Sequence, residues 1–488
     1  MSAFLIVLLC LPLAATAVSL GRSLRVAEAA SLAAALAAFA LTVALAISVR
    51  HGAEHAALGQ WLRLDSLGAV FLLATGFLYA AGVVFSIGYL RAGAHRTGFT
   101  SYARRYYSFL NLFCWTMLLV PLMNDFGTLW VALELTTIVS VLLVAVDRTD
   151  AALEAAWKYV LIASVGLGIG LLAVILLYAA GTGPLGDAYI PRFASYVAAA
   201  HRLPTVQVEF AFLLAVIGFG TKVGFAPLHT WLPDAHSEAP SPVSALLSGS
   251  LLATAFYAIL RFYQVTAPAA GDRFPRGVLL VFGAASLVLA ALFVLRQENY
   301  KRLLAYSTIE HMGVIALGVG FGVRLAVAGA LFHVLNHAAA KGLAFFGSGS
   351  LLRRYDSKQI DQIRGAASAL PLSGPMFLAA ALALSGLPVA GVFRSEFQIV
   401  SGGFSRPAYV WVALLIVFVN LAFLGILWQT GGMVLTPADP GIARGETSWW
   451  MVAAMAACLV VVIGLGFHLP SGLAALLRHA AGSLGASG

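Results

Sequence analysis

Six residues carry the chemistry this chain could do: Glu134, Lys222, His333, His337, Lys341 and Glu396. Each lies inside an otherwise apolar run, as in Leu129-Trp130-Val131-Ala132-Leu133-Glu134-Leu135-Thr136-Thr137. An ionisable group in mid-membrane costs about 2.5 to 3.5 kcal/mol on insertion scales. Four carboxyl or ammonium groups left unpaired against lipid would cost on the order of 10 kcal/mol, comparable to the stability of a whole domain. They must therefore face a paired or hydrated interior. His333, His337 and Lys341 are spaced i, i+4, i+8 and stack along one helix face, about 6 Å per turn. Imidazole titrates near neutrality, and a desolvated ammonium exchanges its proton according to whether a carboxylate is close, so the chemistry on offer is proton transfer. A static ion pair is the alternative for Glu134 and Lys222, and hydrogen-bonded core histidines for His333 and His337. No carboxylate or cysteine shares the histidine face, so no metal site is expected there. His229, Asp234, His236 and Glu238 are ligands by type, but the prolines around them read better as a capping loop. Arg394, two residues before Glu396, is either its partner or an end charge.

The elements that must hold these groups are membrane helices. Of the 488 residues, 61% are hydrophobic and 10% charged, and the mean hydropathy is +0.93. Charge at that level cannot cover a water-facing surface of this size, which excludes an ordinary soluble enzyme. Low charge likewise excludes a disordered chain, and 48 glycines without a three-residue period exclude collagen. Cys10, Cys114 and Cys458 stand singly in apolar stretches and are expected to be buried, inert thiols. No iron-sulfur spacing, Walker loop, dinucleotide fingerprint, HExxH or GxSxG is found, so no cofactor, redox centre or metal is expected.

At about 20 apolar residues per crossing, about fourteen spans follow one another: 3–20, 28–48, 66–91, 107–125, 127–146, 157–180, 209–228, 241–264, 276–295, 302–321, 324–350, 371–400, 408–434 and 448–468. Residues 3–20 lack a basic n-region and read as a span rather than a signal peptide. The fold class expected is an all-α polytopic bundle. The net charge of +9 reflects basic loops after the third span (Arg91, Arg96, Arg104, Arg105), the ninth (Lys301, Arg302) and the eleventh (Arg353, Arg354, Lys358, Arg364). These put one side in the cytoplasm and both termini outside. Lys158, Arg261 and Arg296, at span ends, are expected to snorkel to the interface.

Two spans are interrupted. The seventh breaks at Gly224 to Pro227, after Lys222, and the twelfth at Ser385 to Gly391, before Glu396. Proline and glycine free backbone groups that membrane depth tolerates only inside protein or beside water. Broken spans five helices apart are the pattern of an inverted repeat in a transporter. The division expected is 1–106 for spans 1 to 3, 107–265 for a first five-helix repeat, 266–434 for a second, and 435–488 for the last span and tail.

The stretch KVGFAPLHTWLPDAH (Lys222 to His236), followed by SEAPSPVSALLSGSLL, resembles the antiporter-like proton-translocating membrane subunits of respiratory complex I and the group 4 hydrogenases. Within that family EAAWKY (Glu154 to Tyr159), KRLLAYSTIEHMG (Lys301 to Gly313) and FRSEF (Phe393 to Phe397) look most like hydrogenase-4 component F and related subunits. The resemblance implies a first proton site at Glu134 and Lys222 and a second at His337, Lys341 and Glu396. It also implies membrane partners, a redox arm with iron-sulfur subunits, and a bacterial inner membrane. Family members commonly carry a lysine in the eighth span between the two sites, whereas Ala253 stands here, with Thr254 beside it. Two other roles share the family's fold: a cation/proton antiporter subunit of the multisubunit sodium type, and a membrane subunit for inorganic-carbon uptake.

Overall fold

The computed structural model describes residues 1–21, 23–94, 98–186 and 189–485; Arg96 lies outside them. In chain order come α1 (Ser2–Ser19), α2 (Leu24–Val49), a hairpin of β1 (His55–Ala57) and β2 (Leu62–Leu64), α3 (Ser66–Arg91), α4 (Phe99–Leu119), α5 (Phe126–Val144) and α6 (Asp150–Leu185). Then follow α7 (Phe193–Ala199), α8 (Thr205–Val223), α9 (Trp231–Glu238), α10 (Ser241–Leu246), α11 (Leu252–Ala270), α12 (Arg273–Val294), α13 (Tyr300–Gly320) and α14 (Arg324–Tyr355). The chain continues with α15 (Ala366–Ala369), α16 (Ser373–Leu384), α17 (Gly391–Phe404), α18 (Tyr409–Leu435), α19 (Trp449–Phe467) and α20 (Ser471–Gly482). The two strands pair antiparallel with His55 opposite Leu64.

The fold is an all-α polytopic bundle. Among the described residues, eleven helical segments are long and apolar enough to cross a membrane, one of them running from α10 through α11. The expected spans outside that group are α4, with Arg104 and Arg105 in its first half, α14, with its histidines and lysine, and the interrupted α16 and α17. In α4 and α14 polar and charged residues lower the apolarity, and the break leaves α16 and α17 each too short to cross alone. The arrangement is inside out relative to a soluble protein: α13 and most of α14, with their buried lysines, histidines and carboxyl, form the centre together with α11. The more uniformly apolar α1, α2, α6, α18 and α19 turn Leu, Val, Ile and Trp outward.

Polar caps fix where the working helices begin. Asp125 accepts from Thr128 N at 2.9 Å to start α5, and Asn299 accepts from Lys301 N at 2.9 Å to start α13. The first break follows α8 at Gly224, whose φ of +83° is left-handed and so suited to glycine. Its freed backbone groups find partners: Ala226 N donates to Ser286 Oγ at 2.9 Å, and Trp231 Nε1 donates to Thr221 O at 2.8 Å. The chain re-enters as α10, and a π-helical segment, Leu247–Leu251, carries it into α11. The second break separates α16 from α17, where Asn336 Nδ2 of α14 donates to Gly391 O at 2.8 Å.

Several expectations change. Arg261 does not snorkel: it is buried, paired with Asp65 at 2.7 Å and set over the rings of Phe193 and Tyr257. Lys301 belongs to the first turn of α13 rather than to a loop, and its buried ammonium donates to Ala239 O at 2.5 Å. Cys10 is exposed on α1, whereas Cys114 and Cys458 are buried.

Candidate functional site

Two buried lysines organise the interior in parallel ways. Lys222, at the end of α8, donates to Leu133 O at 2.8 Å and to Thr137 Oγ1 at 2.5 Å, both on α5. These acceptors flank Glu134, yet no direct ion pair joins Glu134 to Lys222, and the Oε2 atom of Glu134 is buried without a hydrogen-bond partner. Beyond Thr137, Ser140 bonds Tyr159 at 2.8 Å, and Tyr159 stacks on Trp231 of the segment after the break. Lys341, on α14, donates to Leu304 O at 2.9 Å and to Ser307 Oγ, both on α13. In each half, then, an ammonium is held by one carbonyl and one hydroxyl of a capped helix, and that helix also bears a carboxyl.

The carboxyl of α13 is Glu310, which the sequence reading passed over along with His311. Both are buried, and the Oε2 atom of Glu310 has no hydrogen-bond partner. The signal that found Glu134, an ionisable residue in mid-span, applies equally to the run Ser307-Thr308-Ile309-Glu310-His311.

His311 gathers the second half. Its Nδ1 lies 3.0 Å from His333 Nε2 and 3.9 Å from Glu396 Oε1, and its ring centroid is 5.2 Å from that of His337. Ser395 fixes the other side of His333 at 2.9 Å. Neither ring nitrogen of His337 has a hydrogen-bond partner. Glu396 also lines a cavity of about 190 Å³ with Gly386, Phe393, Phe397 and Asn420. Arg394 makes no ion pair with it among the described residues.

Between the halves, the structure has hydroxyls near the position of the missing lysine. Ala253 is buried at the start of α11, two residues past the π-helical segment. Within that segment Ser248 bonds Thr308 of α13 at 2.7 Å, and Thr308 also donates to Leu304 O, the carbonyl that holds Lys341. Thr254 donates to Leu251 O of its own helix.

The four polar residues after the first break are engaged otherwise. Asp234 pairs with Arg302 at 2.6 Å and Lys158 at 3.2 Å, Glu238 pairs with Lys358 at 2.8 Å, and His236 bonds Leu232 O. His229 is buried, with Nδ1 unpartnered. Asp234, His236 and Glu238 stand on a helix, α9, rather than on the expected capping loop, and the ion pairs tie that helix to α6, α13 and the segment after α14.

Residues 123–425 match the family described as NADH:quinone oxidoreductase/Mrp antiporter, transmembrane. The chain belongs to that family. It is 33% identical over 431 residues to the hydrogenase-4 component F homolog of Methylacidiphilum infernorum, covering 86% of this chain and 88% of that one. A subunit of the membrane-bound sulfane sulfur reductase, an archaeal respiratory membrane complex, superposes with a TM-score of 0.87 at 22% identity, covering 98% of this chain and 97% of its own. A chain of the Mrp complex from Dietzia sp. DQ12-45-1b gives 0.84 at 21% identity, over 99% and 97%. At those identities the two structures establish the fold, and the family match adds the relationship to antiporter-like subunits of multisubunit membrane complexes.

Proposed function

We propose that this chain is a proton-translocating, non-redox membrane subunit of an oxidoreductase complex of the complex I or group 4 hydrogenase kind. The observation that carries the reading is the repeated one: Lys222 and Lys341 are each buried on a carbonyl and a hydroxyl, without a direct carboxylate partner. A buried ammonium so placed gains or loses a proton according to the charge brought near it. In the first half Glu134 and Lys222 form the proton site. In the second, His333, His337, Lys341 and Glu396 do, joined by Glu310 and His311. The pair Ser248 and Thr308 stands in for the lysine replaced by Ala253, as a hydroxyl bridge into the Lys341 site. Residues 107–265 and 266–434 act as the two repeats, each with one broken span, after spans in 1–106 and before those in 435–488.

The partners are other membrane subunits and a peripheral redox arm with iron-sulfur subunits, whose chemistry would shift the charge on Glu134 and Lys222. The chain sits in a bacterial inner membrane, with its basic loops in the cytoplasm and both termini outside. A cation/proton antiporter subunit of the sodium type is the second reading, since the family description spans both kinds. The stronger sequence likeness to a hydrogenase-4 component favours the first. The test is proton movement by the assembled complex in inverted membrane vesicles. Lys222→Ala and Glu134→Gln should each abolish acidification of the vesicle lumen with assembly intact. Normal pumping in both would overturn the reading, and sodium-dependent exchange without electron transfer would replace it with the second.

A further inference from the structure

The sequence argues against a metal on α14 because no carboxylate shares the histidine face; the fold supplies one from α17. We propose that His311, His333 and Glu396 form a binding site for a transition-metal dication of the zinc class, with His337 beside it. The ligand atoms His311 Nδ1, His333 Nε2 and Glu396 Oε1 all lie within 4.8 Å of one another, with separations of 3.0 Å between the imidazoles and 3.9 Å from His311 to Glu396. Tetrahedral zinc with bonds of about 2.0 to 2.1 Å places its ligand atoms about 3.3 Å apart, so shifts of well under 1 Å at those two edges admit the ion. Two histidines and a glutamate are also a familiar zinc donor set, one that leaves the fourth position open.

The surroundings are those of a built site. Ser395 holds His333 through Nδ1, the support a metal-binding imidazole needs on its far nitrogen, and leaves Nε2 facing His311. Glu396 Oε1 has no hydrogen-bond partner, and neither ring nitrogen of the fully buried His337 does, although its ring lies 5.2 Å from that of His311. A buried polar atom left unsatisfied is costly, and an ion would satisfy the Glu396 oxygen. The nearest cation, Lys341, is held back on Leu304 and Ser307, and the two buried carboxyls, Glu310 and Glu396, outnumber it. Binding of an ion does not depend on the transport reading, although its ligands are also residues of the proposed second proton site. That an ion there would occupy the nitrogens and oxygen a proton must use, and so block the second half, rests on that reading.

The experiment reads binding alone. Full-length protein in mild detergent is incubated with Zn²⁺, gel-filtered and assayed for zinc by mass spectrometry, and a parallel sample is titrated with Co²⁺ for the absorption of a tetrahedral nitrogen and oxygen site. One zinc per chain and a tetrahedral cobalt spectrum are expected. His311→Ala, His333→Ala and the near-isosteric Glu396→Gln should each weaken binding at least about tenfold. Replacing His51 and His479, an exposed pair with ring centroids 6.3 Å apart, should leave it unchanged. No retained zinc in monodisperse wild-type protein would overturn the proposal. So would zinc that survives Glu396→Gln but is lost with His51 and His479, which marks adventitious surface binding.

Discussion

At the level of single residues, the buried charges fall into those the proposed function assigns to proton movement and those that hold helices. On that proposal Lys222 belongs to the first kind: the hydroxyl and carbonyl that hold it cannot neutralise it, so its charge would answer to Glu134. Lys222→Ala should lower proton translocation by about 10² to 10⁴, the range a positioned proton-transfer group supplies, while the complex still assembles; pumping rates in vesicles check both. Asp65 belongs to the second kind. Burial pushes its carboxyl up, but the Arg261 guanidinium and the Gly68 amide outweigh that and hold it below the usual carboxylate range. A carboxyl so lowered adds stability that is complete above its unfolded pKa and is lost as pH falls through the folded one. Asp65→Asn should destabilise the chain by about 3 to 5 kcal/mol, because Arg261 is left buried and unpaired. The check is the thermal midpoint in detergent at neutral pH, and an unchanged midpoint would refute the assignment. The six residues singled out from sequence were legible because an ionisable side chain in an apolar run is expensive wherever it points. What each one touches was not legible. That Lys222 rests on Leu133 and Thr137, or that Glu396 meets His311, depends on the rotation of helices far apart in sequence, which one chain's apolar pattern leaves open.

At the level of elements, close helix contact depends on residues that hydropathy ignores. Helices α12 and α13 meet through Gly283 and Gly313: a methyl group on Gly313 would stand 2.7 Å from Gly283 O, and one on Gly283 would stand 2.9 Å from Gly313 O. Both obstacles are backbone and cannot rotate away. Gly313→Ala should therefore cost about 1 to 3 kcal/mol and displace α13, with the neighbouring Glu310 and His311; reduced thermal stability together with reduced pumping would bear this out, and neither changing would refute it. The link between the halves is also a property of elements. The π-helical turn at Leu247–Leu251 presents Ser248 to Thr308 at 2.7 Å, and such turns recur at functional positions. Ser248→Ala should slow proton movement through the second half while leaving Lys222 seated, whereas Thr254→Val, on a hydroxyl bonded within its own helix, should do little. Pumping by Ser248→Ala equal to wild type would remove the bridge. The breaks at Gly224 and Gly386 were readable from proline and glycine. The π turn was not, since nothing in its sequence distinguishes it from the helices it joins, and the short α7 and α20 were passed over because neither is long enough to cross a membrane.

At the level of the whole molecule, the question is what covers the perimeter. A lone membrane protein should present only apolar groups at mid-depth, and α18 largely does, with Val410, Val417, Leu424 and Trp428 exposed. Asn420 departs from this: it lies exposed in the middle of α18, where its amide donates to Ile416 O of its own helix at 2.7 Å. An amide turned toward lipid is disfavoured, whereas one turned toward a protein neighbour can bond across helices. The same face holds the mouth of the cavity beside Glu396, so a membrane partner seated there would both cover Asn420 and close the second half against lipid. Isolation in mild detergent should therefore yield a multisubunit assembly rather than this chain alone. Mass spectrometry of what co-purifies, with iron and nickel measured in the same sample, is expected to find integral membrane subunits together with iron-sulfur proteins. Small hydrophobic subunits without metal would instead assign the chain to a cation exchanger. Recovery of the chain alone and intact would refute the partner on α18, leaving Asn420 facing lipid.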